Sequence, residues 1–238
     1  MARPAPEEPT VLGLRELNLA QRRQRILDAA RHLIADGGMA ALSMRKLAKE
    51  AGLAVATLYN LFGVREEILQ ALVMDAIDQM DLVLEREAPL NDPMERCRAI
   101  ITVSVQHMVE NEAVFRPMVL TAPQAPPGGG RDVARRAAHM QSLAIQAAID
   151  QGLLSDLFDP EQLGHQIYHG FEFASIQWGI GQIDAAEFEA RALYGLHLAL
   201  LAVAKDSIRP KIEADLHNLE KTFRLRAGST TRRTRKRS

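Results

Sequence analysis

Three groups of residues in this sequence combine reactive side chains with a spacing that chemistry could use. Ser43-Met44-Arg45-Lys46 spells S-x-x-K, the nucleophile motif of serine β-lactamases and related acyl enzymes. No S-D-N or K-T-G partner follows, so a helix cap explains the serine better than a nucleophile does. His165 and His169 lie four residues apart on one helical stripe, with Glu161 before and Glu172 after, a spacing that could hold a metal. Two histidines on a helix facing a core are more often hydrogen-bonded packing residues, and no metal or other cofactor is expected. Cys97 is the only cysteine and sits mid-helix among apolar residues, which makes it a structural thiol. No acid-base or nucleophile constellation remains, and an enzyme is disfavoured.

The elements that carry these residues all read as helices. Hydrophobic residues make up 47% of the chain and aromatics only 5%, a balance that favours helix. No stretch alternates apolar and polar residues as a half-buried strand would, so the expected fold class is all-α. Ile26, Ala29, Ala30, Leu33 and Ile34 form a helical stripe over Ala20 to Asp36, and Gly37-Gly38 stops it. Ser43 can cap a second helix, Met44 to Ala51, and Gly52 permits the turn into a third, about Val55 to Leu61. Arg65 to about Arg86 has apolar residues at helical spacing over a length that could join two domains. Further helices start at Asp92-Pro93-Met94-Glu95, Asp159-Pro160-Glu161 and Asp184-Ala185-Ala186-Glu187, each an acid cap in the order a helix N-terminus prefers. Asn111 to Leu120 and Arg131 to Gln151 read as two more. Ala122 to Gly130, with three prolines and three glycines, reads as a mobile loop. Arg224 to Ser238 has no apolar periodicity and is expected to be disordered.

Charge separates along the chain. Residues 15 to 65 carry nine basic and four acidic side chains, residues 66 to 204 eight and twenty, and residues 205 to 238 eleven and four. A basic head on an acidic body suits a protein whose head alone touches a polyanion. The basic tail could add non-specific phosphate contacts or simply solubilise the terminus. No apolar run approaches the roughly 18 to 20 residues needed to cross a bilayer, and Met1 to Thr10 lacks the apolar run of a signal peptide. The cytoplasm is the expected location.

Within the basic head, SMRKLAKEAGLAVATLYNLF meets the steric demands of a helix-turn-helix, with small Ala48 at the crossing, Gly52 in the turn, and Leu53 and Leu58 to bury the second helix. Extended to RRQRILDAARHLIADGGMAALSMRKLAKEAGLAVATLYNLFGVREEIL, the segment resembles the N-terminal domain of the tetracycline-repressor (TetR) family along nearly its full length. The resemblance implies a homodimeric DNA-binding regulator, more often a repressor, with a helix-turn-helix domain at 15–64. It implies a helical effector-binding and dimerisation domain at 65–204, followed by a C-terminal helix and tail at 205–238. Ser43, Arg45 and Lys46 would then meet phosphates, while Val55, Ala56, Thr57, Tyr59 and Asn60 would lie on the recognition helix. Arg65 stands where the family has a phosphate-clamping lysine. Ala54, Val55, Ala56 and Leu61 depart from the family's usual residues, so direct base readout should be sparse. This apolar recognition helix also leaves an alternative, a ligand-binding or interaction protein without specific DNA binding.

An effector, if one binds, would be largely apolar and could be lined by Met108, Phe115, Met118, Met140, Phe171 and Trp178, with Glu172 available to a cation. Each of these is individually more at home in a core. The family places its dimer interface on its last two core helices, here the segments starting at Asp159 and Asp184. Leu196 and Leu200 are the positions at which a charge would be expected to split the dimer.

Overall fold

A computed structural model describes residues 11–88, 90–121 and 131–235. The proline- and glycine-rich segment 122–130, expected as a loop, lies outside the described residues. The described residues form ten helices and no strand: α1 (Val11–Ala41), α2 (Met44–Ala51), α3 (Val55–Phe62), α4 (Arg65–Glu87), α5 (Pro93–Glu110), α6 (Glu112–Thr121), α7 (Arg131–Asp150), α8 (Pro160–Gly179), α9 (Ala185–Val203) and α10 (Arg209–Arg235). The all-α expectation holds, and the helix boundaries fall within a few residues of those read from spacing and caps. The main departure is α1, which starts nine residues before Ala20 and is broken at Gly37 and Gly38, where the backbone leaves helical angles, before resuming to Ala41.

The chain divides into two compact units, Met1–Leu72 and Val73–Ser238. The expected domain start at residue 65 coincides with the first residue of α4, whereas the compact units part after Leu72, inside that helix.

In the first unit, α1 packs across α2, and α2 turns into α3. Ile26, Ala30, Ile34, Leu47, Leu58 and Ile68 are fully buried. Burying each such aliphatic side chain contributes about 1.5–3 kcal/mol, enough to hold a three-helix unit whose helices are too short to persist alone.

The second unit is built around α7 and α8, the most extensively packed pair, with α5, α9 and α10 completing the core. Asp92 accepts a hydrogen bond from the Glu95 amide (3.2 Å), Asp159 from Glu161 (2.7 Å) and Asp184 from Glu187 (2.8 Å), so all three acid caps act as their spacing implies. Beneath them Cys97, Ile145, Leu154, Trp178, Phe188, Leu196 and Leu200 are closed off from solvent.

Two expectations about this unit are corrected. Leu196 and Leu200 are 1% and 2% exposed within the chain's own core, so they are not surface positions at which a partner could be repelled. The large apolar residues exposed here are Phe173 on α8, Ile180 just beyond its end and Leu198 on α9. Periodicity marks an apolar helix face without saying which neighbour covers it. The second correction concerns the tail: α10 continues to Arg235, where disorder was expected from Arg224. Ile212 and Leu216 dock its first half into the core, and Phe223 meets the Tyr194 ring edge-on at 5.6 Å. Once nucleated by that packing, a helix adds each further residue at little cost and can extend past its anchored turns. Residues 236–238 lie outside the described residues.

Candidate nucleic-acid interface

The short helix α3 is held from one side only. Leu58 and Phe62 are buried, while Ala56, Tyr59 and Asn60 share the opposite, exposed face, with Val55 and Thr57 half-buried at its margins. Tyr59 is 51% exposed, unusual for a large ring in a well-packed unit, and it places a hydroxyl and an aromatic edge on the outer face of α3.

Two sharp turns fix α3. Gly52, at φ +63°, closes α2 and donates its amide to Ala48 and Lys49 carbonyls. Gly63, at φ +79°, closes α3 and donates to Tyr59 O (2.9 Å). A side chain at Gly63 would also collide with the Glu67 carboxylate, which turns back to accept from the Val64 amide at 2.7 Å and so caps the start of α4.

Ser43 adopts extended angles and its Oγ accepts from the Lys46 amide at 3.3 Å. The hydroxyl is therefore a helix cap, as its position implied, and the Lys46 side chain is exposed beside that of Arg45. The first-turn amides of α2 together with these two cations make an anion-attracting corner. Ala54, at the same position before α3, offers no side-chain cap.

Sequence reasoning missed how the arginines divide. Arg25 Nη2 donates to Ala51 O (2.6 Å) at the end of α2. Arg23 Nη1 donates to Leu61 O (2.8 Å) at the end of α3, and its guanidinium lies 4.3 Å over the Phe62 ring. Arg65 Nη2 donates to Met39 O (2.7 Å) near the end of α1, with its Nε buried and unpartnered. Each helix of the unit thus has its exposed C-terminal carbonyls closed by an arginine from another helix, where the helix dipole also favours a cation. Nothing local announces these bonds, because the partners stand 26 or 38 residues apart.

The residues considered for an effector fall together only in part. Met108, Met140 and Trp178 belong to the core of the second unit, with Phe115 and Phe171 packed against it. Phe188 joins Phe171 (5.4 Å between centroids) to Trp178 (5.6 Å, stacked). Met118 is buried on α6, and Glu172 is exposed on α8. Among the described residues Trp178 Nε1 and Gln141 Oε1 are buried without a partner, the latter on a side chain whose Nε2 donates to Cys97 O at 3.0 Å. Arg116 Cζ lies 4.5 Å over the Trp178 ring and Nη1 donates to Trp178 O. His165 and His169 have ring centroids 6.3 Å apart. Burial pushes the Cys97 thiol up to about 12, which keeps it protonated and unreactive at neutral pH.

Residues 26–72 match the model of the bacterial regulatory proteins of the tetR family. The chain is 31% identical over 98 residues to the HTH-type transcriptional repressor KstR of Rhodococcus jostii, an alignment covering 41% of this chain and 46% of KstR. It spans about half the length or less of the curated relatives it matches. Its fold is that of a TetR transcriptional regulator from Rhodococcus sp. RHA1, with a TM-score of 0.64 at 20% identity over 78% of this chain and 97% of that one. It is also similar to Thermus thermophilus FadR, a TetR-family repressor solved in complex with lauroyl-CoA, with a TM-score of 0.58 at 20% identity over 73% of this chain and 92% of that one. Residues 26–72 therefore resemble the domain shared by the tetR family of bacterial regulatory proteins, on a chain with the fold of solved TetR regulators. Among the described residues no helix is long and apolar enough to cross a membrane.

Proposed function

We propose that the chain is a cytoplasmic, homodimeric transcriptional repressor that binds a palindromic operator and is released by a small, largely apolar effector. The observation that carries the DNA-binding half is the exposed face of α3, with Tyr59 and Asn60 outward, in the unit whose α2 opens with the exposed cations Arg45 and Lys46. Phosphate contacts from Ser43, Arg45, Lys46 and the α2 amides would set the register, and Val55, Ala56, Thr57, Tyr59 and Asn60 would meet base edges. With one side of the Arg65 guanidinium bound to Met39 O, its phosphate contact would come from the remaining Nη1 group. One eight-residue helix reads only a few base pairs, so a second copy is needed for useful specificity.

The partner copy would cover exposed Phe173 on α8, Ile180 just beyond it and Leu198 on α9. For the effector, support comes from the aromatic and methionine cluster around Trp178, whose unpartnered indole N–H would donate to a single acceptor on an apolar molecule. FadR, similar in fold, was solved with the acyl thioester lauroyl-CoA. Effector binding would change the separation of the two recognition helices and so their fit to successive major grooves.

Selection of bound fragments from the source genome, followed by footprinting, tests the proposal. Protection of two inverted half-sites centred about 34 Å apart is the expected result. The second reading, an effector-binding protein without specific DNA binding, draws on Val55, Ala56 and the uncapped start of α3. Equal affinity for selected and scrambled fragments would favour it.

A further inference from the structure

We infer a second DNA contact that is independent of base sequence: Arg15 and Arg22, on the N-terminal turns of α1, bind phosphates flanking the segment read by α3. This rests on the reading of the first unit as a DNA-binding module.

The helix α1 begins at Val11, well before the family match opens at residue 26, so its first turns lie outside the part of the chain that the family defines. Residues seven apart on a helix differ by only about 20° in direction, so Arg15 and Arg22 share one face, and Ile26 and Leu33 continue it. From Ile26 onward that face is buried or half-buried in the unit, with Ala29, Ala30 and Ile34 beside it. Before Ile26 the same face is exposed: the packed side of α1 runs on past the elements it covers, and there it carries arginine.

Its place is set by two bonds. Arg23 reaches Leu61 O in the last turn of α3, and Arg25 reaches Ala51 O at the end of α2. The turn bearing Arg22 therefore stands next to the C-terminal end of α3, the helix that carries exposed Tyr59 and Asn60. Arg23 and Arg25 are occupied by those carbonyls. Arg15 and Arg22 are exposed and make no hydrogen bond or ion pair among the described residues. Glu16 is the only acid from residue 11 to residue 25, against four arginines, so the segment keeps a net positive charge.

Exposed arginines on an overhanging helix fit a regular polyanion better than an acidic patch on a folded partner. Seven residues of helix separate the two by about 10 Å, and each strand presents a phosphate for about every 3.4 Å of duplex axis, so the two arginines can meet separate phosphates. Arginine forks pair bidentately with phosphate without presenting anything that distinguishes one base pair from another.

The test uses the full chain with two labelled duplexes, one selected from the genome and one of mixed sequence, titrated by fluorescence anisotropy over a salt series. Arg15→Gln with Arg22→Gln should weaken both duplexes by a similar factor at low salt. It should flatten the log-log salt dependence by about two units for each protomer bound. Arg15→Lys with Arg22→Lys should keep the slope, and Lys205→Ala with Lys211→Ala, which removes the same charge from the second unit, should leave it unchanged. Wild-type slope in the Gln pair, with helicity unchanged by circular dichroism, overturns the inference while leaving the DNA-binding reading in place. So does a loss confined to the selected duplex. Failure of the wild-type chain to bind either duplex overturns both.

Discussion

The two units close the carboxyl ends of their helices alike and differ at the amino ends. In the first, arginines cap C-terminal carbonyls: Arg25 at Ala51, Arg23 at Leu61 and Arg65 at Met39. In the second, Arg96 at Ala88, Arg116 at Trp178 and Arg209 at Ala204 do the same. Aspartates also cap its N-terminal amides at Asp92, Asp159 and Asp184, where the first unit has Ser43 before α2 and the uncapped Ala54 before α3. Both choices obey the helix dipole, which favours cations at the carboxyl end and anions at the amino end. Part of the contrast between a basic head and an acidic body is therefore structural. Of the nine basic residues between 15 and 65, three hold helices together, and the cations available to a polyanion are fewer than the net charge suggests.

The contrast is sharpest on α9, where adjacent faces of one helix should respond differently to the same charge. Leu196→Glu places a carboxylate in the closed core of the second unit and should cost more than about 4 kcal/mol, leaving little folded protein. Leu198→Glu, two residues on and 47% exposed, should leave the melting temperature nearly unchanged and turn a dimer into a monomer in sedimentation. A folded, dimeric Leu198→Glu protein would move the interface elsewhere.

A middle-sized effect separates the units from each other. Arg25→Ala removes a charged donor from a half-buried carbonyl and should destabilise the first unit by about 1.5–3 kcal/mol. Trp178 is the only tryptophan and lies in the second unit, so its fluorescence reports that unit while circular dichroism reports both. The early part of the dichroism transition should shift and the fluorescence transition should not. Equal shifts in both would mean that the units unfold as one.

Asp159→Ala should do the reverse at a smaller scale, about 1 kcal/mol, because it removes one exposed cap from α8. Here the fluorescence midpoint should move, and DNA affinity at low temperature should not. These two substitutions also show what could be read in advance. The aspartate caps were legible, since an aspartate followed within three residues by a glutamate at the head of an apolar period is a local signal spanning at most four residues. So was the turn at Gly52, and with it the exposed face of α3. The arginine caps were not, because an arginine sees its carbonyl only after three helices have packed. Leu196 was misassigned for a related reason: its apolar stripe was visible, but the identity of the covering neighbour is a property of the assembled core. The length of α10 was missed because its start is anchored by Ile212 and Leu216, and a helix already nucleated extends through sequence that has no apolar period of its own.

The smallest effect belongs to Cys97, whose reactive type drew attention in the sequence and whose surroundings silence it. Its thiol is wholly buried on α5, and burial raises its ionisation from the ordinary 9.0 to about 12. The folded state binds the proton more tightly than the unfolded chain does, so the contribution to stability is complete below pH 9 and is lost as the pH rises from there towards 12. Wild type and Cys97→Ala should therefore differ by a constant amount between pH 6 and 8. Above pH 9 the wild type should lose ground by about 1.4 kcal/mol per pH unit relative to the variant. Subtracting the two curves removes the tyrosine and lysine titrations common to both. In the native protein at pH 8, a thiol reagent should react only as fast as the second unit opens. Reaction that is fast and insensitive to stabilising osmolytes would show the thiol to be reachable, and would return Cys97 to the candidates for chemistry.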